Sequence, residues 1–64
     1  MKRNQLLKHL EENGCVLYRE GNSHSIYCHL QTKKKTSVPR HPVIVETTAF
    51  DICKQLGIPK PKIN

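Results

Sequence analysis

The sequence has few aromatic residues and no long hydrophobic run. Trp is absent, Phe occurs once and Tyr twice, so a platform of aromatic rings for single-stranded nucleic acid is poorly supplied. The longest apolar run covers residues 15–18, which is too short for a membrane-spanning helix or for the hydrophobic region of a secretory signal. We therefore expect a cytoplasmic protein without a membrane segment.

Cysteine and acidic residues are also scarce. The three cysteines, at positions 15, 28 and 53, are odd in number and widely spaced, which favours reduced thiols over a disulfide framework. Cys28 and His29 point to opposite sides of a strand, and the other cysteines have no partner at zinc-ligand spacing. Glu46 and Asp51 are the only carboxylates in the second half, so the carboxylate cluster of a metal-dependent nuclease is missing. We expect no metal and no small-molecule cofactor.

Positive charge, by contrast, is abundant. Lys and Arg total 11 against 5 Asp and Glu, which gives the 64-residue chain a formal net charge of +6 at pH 7. A chain of this length forms one domain with a small hydrophobic core. A domain this basic is suited to polyanionic partners, of which nucleic acid is the first candidate.

The spacing of apolar residues predicts an α+β domain with the order α-β-β-β-α. Helical spacing occurs over residues 4–13 and from about 47 to 56, and a glycine follows each segment. Alternating patterns between them predict strands at 15–20, 23–30 and 36–38. Short links make the three strands an antiparallel sheet, and we expect the two amphipathic helices to cover one face of it.

The second predicted strand separates its residues into two sets. Ile26, Cys28 and Leu30 alternate with a more polar set, Ser25, Tyr27 and His29. Because a helix-covered face is apolar, the polar set is expected on the open face of the sheet.

His24 is the leading candidate for a catalytic group. It follows the turn residues 21–23 and opens a predicted strand, where a rigid hairpin would hold the imidazole partly exposed and fixed in direction. A general acid or base requires that geometry, and imidazole exchanges protons near neutral pH. From the pattern alone, a surface histidine satisfied by one hydrogen bond is the commoner outcome.

The remaining candidates are basic. Lys33, Lys34 and Lys35 form a loop of compact ammonium groups that suits contacts with phosphate but does not select a base. Arg19 can flank the hairpin turn, and Arg40 with His41 lies in a proline-bounded connector, where either could stabilise charge on a reacting phosphate. For the lysine loop, a solvated surface is as good an interpretation, and for the others an ordinary exposed residue is the commoner one.

Several segments together resemble the HicA (YcfA-like) toxins. The resemblance is carried by residues 1–2, 5–14, 19–24, 38–41 and 52–59, in the family's order and over nearly the whole chain. It identifies residues 1–58 as a toxin domain. The prolines and lysines of residues 59–64 predict a flexible C-terminal tail. It implies a fold like that of double-stranded-RNA-binding domains, with two helices on one face of a three-stranded antiparallel sheet.

The resemblance also implies an activity. HicA toxins are metal-independent ribonucleases that cleave mRNA, and a partner antitoxin, HicB, neutralises them. His24 occupies the last position of the family's Gly-Ser-His motif and is thereby implied to be the catalytic histidine. The chain departs from the family at Asn22, which replaces the glycine of that motif, at Arg3 and at Phe50. For the second acid of the reaction, the alternatives are His41, Lys35 and water.

Two other functions remain compatible with the sequence. One is a module that binds RNA through the same fold and charge without cutting it. The other is an inactive toxin that only binds antitoxin, for which the Asn22 departure is the argument.

Overall fold

The computed structural model describes residues 1–61, so part of the predicted tail, residues 62–64, lies outside the described residues. Its elements are α1 (Arg3–Glu12), β1 (Cys15–Glu20), β2 (His24–His29), β3 (Lys35–Pro39) and α2 (Glu46–Leu56). The strands form an antiparallel sheet in the order β1-β2-β3. The predicted α+β class and the α-β-β-β-α order are confirmed. No helix within residues 1–61 is long and apolar enough to cross a membrane.

Both helices pack on the same face of the sheet. Leu6 and Leu10 of α1 are fully buried, because the i, i+4 spacing puts them on one side of the helix. The second helix buries four residues at similar spacing and ends at Gly57, whose φ of 74° lies in the left-handed region. The sheet contributes three core side chains to the same cluster: Cys15, Tyr27 and Val38.

The assignment of the two faces of β2 was wrong. Ser25, Tyr27 and His29 are buried against the helices, at most 9% exposed, whereas Ile26 and Cys28 lie on the open face. The polar atoms of the buried set have partners: Ser25 Oγ accepts a hydrogen bond from Arg3, and His29 Nδ1 accepts one from the backbone N–H of Gln31. Because satisfied polar groups are tolerated in a core, polarity did not predict the side.

Strand β1 contains a bulge. Leu17 is paired with Tyr27 and Arg19 with Ile26, so Tyr18 is an extra residue in β1. Since Ile26 lies on the open face, its partner Arg19 lies there too. Tyr18 shares that face, because the ammonium of Lys35 on the other edge strand lies 4.8 Å from the centre of its ring.

The start of the chain is paired with the connector between β3 and α2. The amino group of Met1 donates to the carbonyl of Ile44, and the N–H of Ile44 donates back, both at 2.8 Å. Arg3 N–H donates to Pro42 O at 2.9 Å. These bonds fix the connector that carries Arg40 and His41.

The described part of the predicted tail contacts both helices. His9 Nε2 lies 2.8 Å from the carbonyl oxygen of Pro59, so that nitrogen carries the proton and donates. The ammonium of Lys60 lies 5.0 Å from the ring centre of Phe50, a cation–π contact. Phe50, one of the departures from the resembled family, therefore packs against residues that follow α2.

Candidate functional site

His24 is the first residue of β2 and is exposed on the open face of the sheet. It pairs with Pro39 of β3. Its Nδ1 lies 3.1 Å from Ser23 Oγ, and within residues 1–61 its Nε2 has no hydrogen-bond partner. If Nδ1 donates to the serine, Nε2 carries a lone pair toward solvent and can accept a proton. The imidazole is thus held at one nitrogen and available at the other.

The side chain of Arg40 stabilises the turn that precedes His24. Its guanidinium donates to the carbonyl of Gly21 and, at 3.2 Å, to that of Asn22, and it lies 3.2 Å from the carboxylate of Glu20. Three groups of the β1–β2 hairpin therefore meet one side chain from the connector. Arg40 was a predicted phosphate contact, and in the structure its guanidinium pairs with Glu20.

Gly21 approaches His24 closely. Its N–H donates to the carbonyl of His24 at 2.8 Å, and a Cβ at position 21 would lie 3.0 Å from that same oxygen. Asn22 has a negative φ, so the residue that replaces the family's glycine needs no special backbone conformation. The close contact at this turn favours a glycine at position 21, whereas the backbone at position 22 does not need one.

Arg3 supports the site from beneath and was missed by the sequence analysis as a site residue. Its Nε donates to the carbonyl of Pro39 at 2.8 Å and its Nη2 to Ser25 Oγ at 3.0 Å. These partners lie opposite His24 and next to it in the sheet. Nothing in the sequence near Arg3 indicates a contact with residues 22 and 36 positions away.

A polar groove of about 390 Å³ begins at His24 and passes over the edge of β3 to α2. Ser37 on β3 and Asp51 on α2 are among its lining residues. The alternation of Ser37 with buried Val38 could have predicted that Ser37 is exposed, but not that it lies beside His24.

The three loop lysines separate in the structure. Lys35 crosses the open face to Tyr18. The ammonium of Lys34 lies at the C-terminal end of α2, 3.4 Å from where a Cβ of Gly57 would be, and Lys33 has a left-handed φ of 65°. The lysines also lie at the far end of the β2–β3 ladder, since Lys35 pairs with Cys28, about 13 Å along the strand from His24.

This geometry agrees with a comparison of the chain with known families. The family model described as "HicA toxin of bacterial toxin-antitoxin" matches residues 3–58.

The chain belongs to the HicA toxin family. It is therefore a toxin of a toxin–antitoxin system and has a cognate antitoxin as its partner. No curated protein and no solved structure matches the chain.

Within this HicA-family domain, burial makes two of the three cysteine thiols harder to deprotonate. Burial raises the pKa of the Cys53 thiol to about 11, with a smaller effect of neighbouring Cys15, and burial likewise raises the pKa of Cys15. All three thiols are free and buried. Across residues 1–61, no three His, Cys, Asp or Glu side chains are grouped so that they could hold a metal ion.

Proposed function

We propose that this toxin is a metal-independent endoribonuclease that cleaves mRNA with His24 as its general base. The observation that carries the proposal is the position of His24: exposed, fixed through Nδ1, and presenting Nε2 to solvent at a turn held by Arg40. Catalysis by a general base needs such a directed and accessible lone pair.

The reaction follows from the chemistry of RNA. With Nδ1–H donating to Ser23, Nε2 of His24 removes the proton of a 2′-hydroxyl. The 2′-oxygen attacks phosphorus and the bond from phosphorus to the 5′-oxygen breaks, which leaves a cyclic phosphate and a 5′-hydroxyl. One correctly placed base contributes roughly 10²–10⁴-fold to such a rate.

The leaving 5′-oxygen needs a proton from a second group. Lys35 lies at the far end of the ladder from His24, which disfavours it as that acid. His41 is exposed and follows Pro39, the partner of His24, by two residues. His41 and water therefore remain as the sources of the proton.

Phosphate contacts divide among the basic residues. Arg19 is the diagonal neighbour of His24 across β1 and β2, at about 7–8 Å, and so is suited to a phosphate next to the cut. Lys33 and Lys35 are suited to more distant phosphates. Arg40 acts mainly as a positioning residue, because Glu20 and two carbonyls occupy its guanidinium.

The antitoxin that silences this toxin is proposed to be of the HicB type. A surface at +6 with an exposed His24 is blocked most simply by a protein that covers the imidazole and offers carboxylates to Arg19 and the lysines. Complementary charge accelerates such association and makes it dependent on salt. The resting complex would be inactive until the antitoxin is degraded.

The test compares purified wild type with His24→Ala on a labelled mRNA fragment in excess chelator. Wild type is expected to cleave and to leave cyclic phosphate ends, and His24→Ala to lose about 10²–10⁴-fold in rate. His41→Ala is the informative second variant, because a loss there identifies the acid. Equal cleavage by wild type and His24→Ala would refute the assignment, and RNA binding without cleavage by wild type would favour a non-catalytic binding module.

A further inference from the structure

The bulge in β1 gives the open face a feature that the catalytic proposal does not use. It places Tyr18 and Arg19 side by side opposite Ile26 of β2. Bulges are common beside active sites, where they redirect a side chain. Here the result is an aromatic ring and a guanidinium on the same face as His24.

The ring of Tyr18 is accessible. The residue is 60% exposed, although the ammonium of Lys35 lies 4.8 Å from the ring centre. Lys35 reaches it from β3 and thus spans the central strand, whose residue Cys28 is buried between them on this face. The ammonium of Lys35 therefore lies over one face of this exposed ring, and Arg19 follows Tyr18 in β1. A base that stacks on that face displaces the ammonium toward the RNA backbone.

The distance from this ring to His24 is short on the scale of RNA. Tyr18 lies in β1 at a level between Ile26 and Tyr27 of the neighbouring strand β2. This places it on the order of 10 Å from His24. At a rise of ~3.4 Å per nucleotide in a stacked strand, the distance from Tyr18 to His24 corresponds to about three nucleotides. A base near the cut can therefore reach Tyr18 while its phosphates stay near Arg19.

We propose that Tyr18 stacks on a nucleobase of single-stranded RNA that lies across the open face, with Arg19 and Lys35 contacting the phosphates on either side. The inference rests on the proposed function and names its substrate class, since a base inside a duplex is not free to stack on a side chain. Aromatic residues are scarce in this chain, but one exposed ring beside two cations is enough for one base.

Binding is measured by fluorescence anisotropy of a labelled ten-nucleotide RNA in a His24→Ala background, which prevents cleavage. The variants are Tyr18→Ala, Tyr18→Leu and Tyr18→Phe, each with its folding checked by circular dichroism. The matched control is Leu17→Ala, which removes an exposed apolar side chain of the same strand. A hairpin duplex serves as the second RNA.

Tyr18→Ala and Tyr18→Leu are expected to weaken single-strand binding by about 5- to 150-fold, and Tyr18→Phe to keep it, because stacking requires the ring and not the hydroxyl. The slope of log affinity against log salt should stay unchanged, since no phosphate contact is lost. Leu17→Ala should bind like its parent. The duplex should show no dependence on Tyr18.

The outcomes separate this inference from the proposed function. Equal single-strand affinity in Tyr18→Ala and its parent overturns the stacking role even where wild type cleaves RNA, and a loss confined to antitoxin binding assigns the face to the protein partner instead. Tyr18-dependent binding by a wild type that does not cleave supports the stacking role and refutes the nuclease. Absence of any RNA binding refutes both.

Discussion

The central strand β2 has two faces of opposite character. On the helix-covered face, Ser25 and His29 bury polar atoms that are hydrogen-bonded, and Tyr27 belongs to the core. On the open face, His24 and Ile26 lie among basic and aromatic neighbours from the two edge strands. The set of alternate residues that is more polar in the sequence lies on the covered face and stabilises the fold. The more apolar set lies on the open face, which carries the candidate site.

This division means that stability and activity are separable by alternate residues of one strand. A change on the covered face removes packing or leaves a buried polar atom without its partner, both of which destabilise. A change at an exposed position of the open face, such as His24, removes a group that contributes little to the packing of the core. Four predictions test the division, from the largest expected effect to the smallest.

Tyr27→Ala should lower the free energy of unfolding by about 3–5 kcal/mol, because it empties a large core position. His24→Ala, three residues earlier and exposed, should change it by no more than about 0.5 kcal/mol. Urea unfolding of both variants measures the contrast. Comparable destabilisation by the two would show that the faces are not separate in function.

Alkaline pH should destabilise the covered side through Cys53. Burial raises the pKa of its thiol from the ordinary value of 9.0 to about 11, so the folded state holds this proton more tightly. The contribution is complete below pH 9 and is lost as the pH rises through about 11, on the order of 3 kcal/mol.

The measurement for this prediction is the pH dependence of urea unfolding in wild type and Cys53→Ala. The difference in slope between the two proteins from pH 9 to 11 reports Cys53 together with its interaction with neighbouring Cys15. Identical slopes would mean that the thiol is not protected by burial.

Arg3→Ala should cost about 1–2 kcal/mol, because it removes two charge-assisted bonds, to Ser25 Oγ and to the carbonyl of Pro39. Since Pro39 pairs with His24, cleavage should also slow. Arg3→Lys should restore part of the stability, and Arg19→Ala is the control, expected within about 0.5 kcal/mol of wild type. Loss of stability in Arg19→Ala as large as in Arg3→Ala would contradict this account.

The smallest effects distinguish the lysines. Lys34→Ala should reduce the unfolding free energy by about 0.3–1 kcal/mol, because its ammonium faces the C-terminal end of α2, and should leave the salt dependence of RNA binding nearly unchanged. Lys35→Ala should lower the slope of log affinity against log salt by about 0.7 for a single strand. Equal slopes in the two variants would show that the loop acts as one cationic patch.

The order of the elements could be predicted from the sequence because it depends on local signals. Apolar spacing gave both helices, and Gly57 does end α2 with a left-handed φ. The position of His24 at the start of a strand was predicted for the same reason, since a turn and an alternating run adjoin there.

Features that depend on distant partners could not be predicted. On the covered face of β2, Tyr27 joins the core and Ser25 accepts a hydrogen bond from Arg3, 22 residues away in the sequence. The bulge at Tyr18 appears only in the pairing of β1 with β2. The separation of Lys34 from Lys35 depends on where α2 ends beside the loop. Each of these features depends on a contact with a residue of a different helix, strand or loop.

A side chain at position 21 would crowd the backbone, because a Cβ there would lie 3.0 Å from the carbonyl oxygen of His24. Position 22, where the resembled motif has its glycine, has ordinary backbone angles. A pattern search anchored on a glycine two residues before the histidine would pass over this chain. A structural search for a glycine whose backbone contacts the carbonyl oxygen of a histidine at the start of a strand would find it. In this chain the close backbone contact with the histidine carbonyl therefore falls at position 21, one residue before the glycine of the resembled motif.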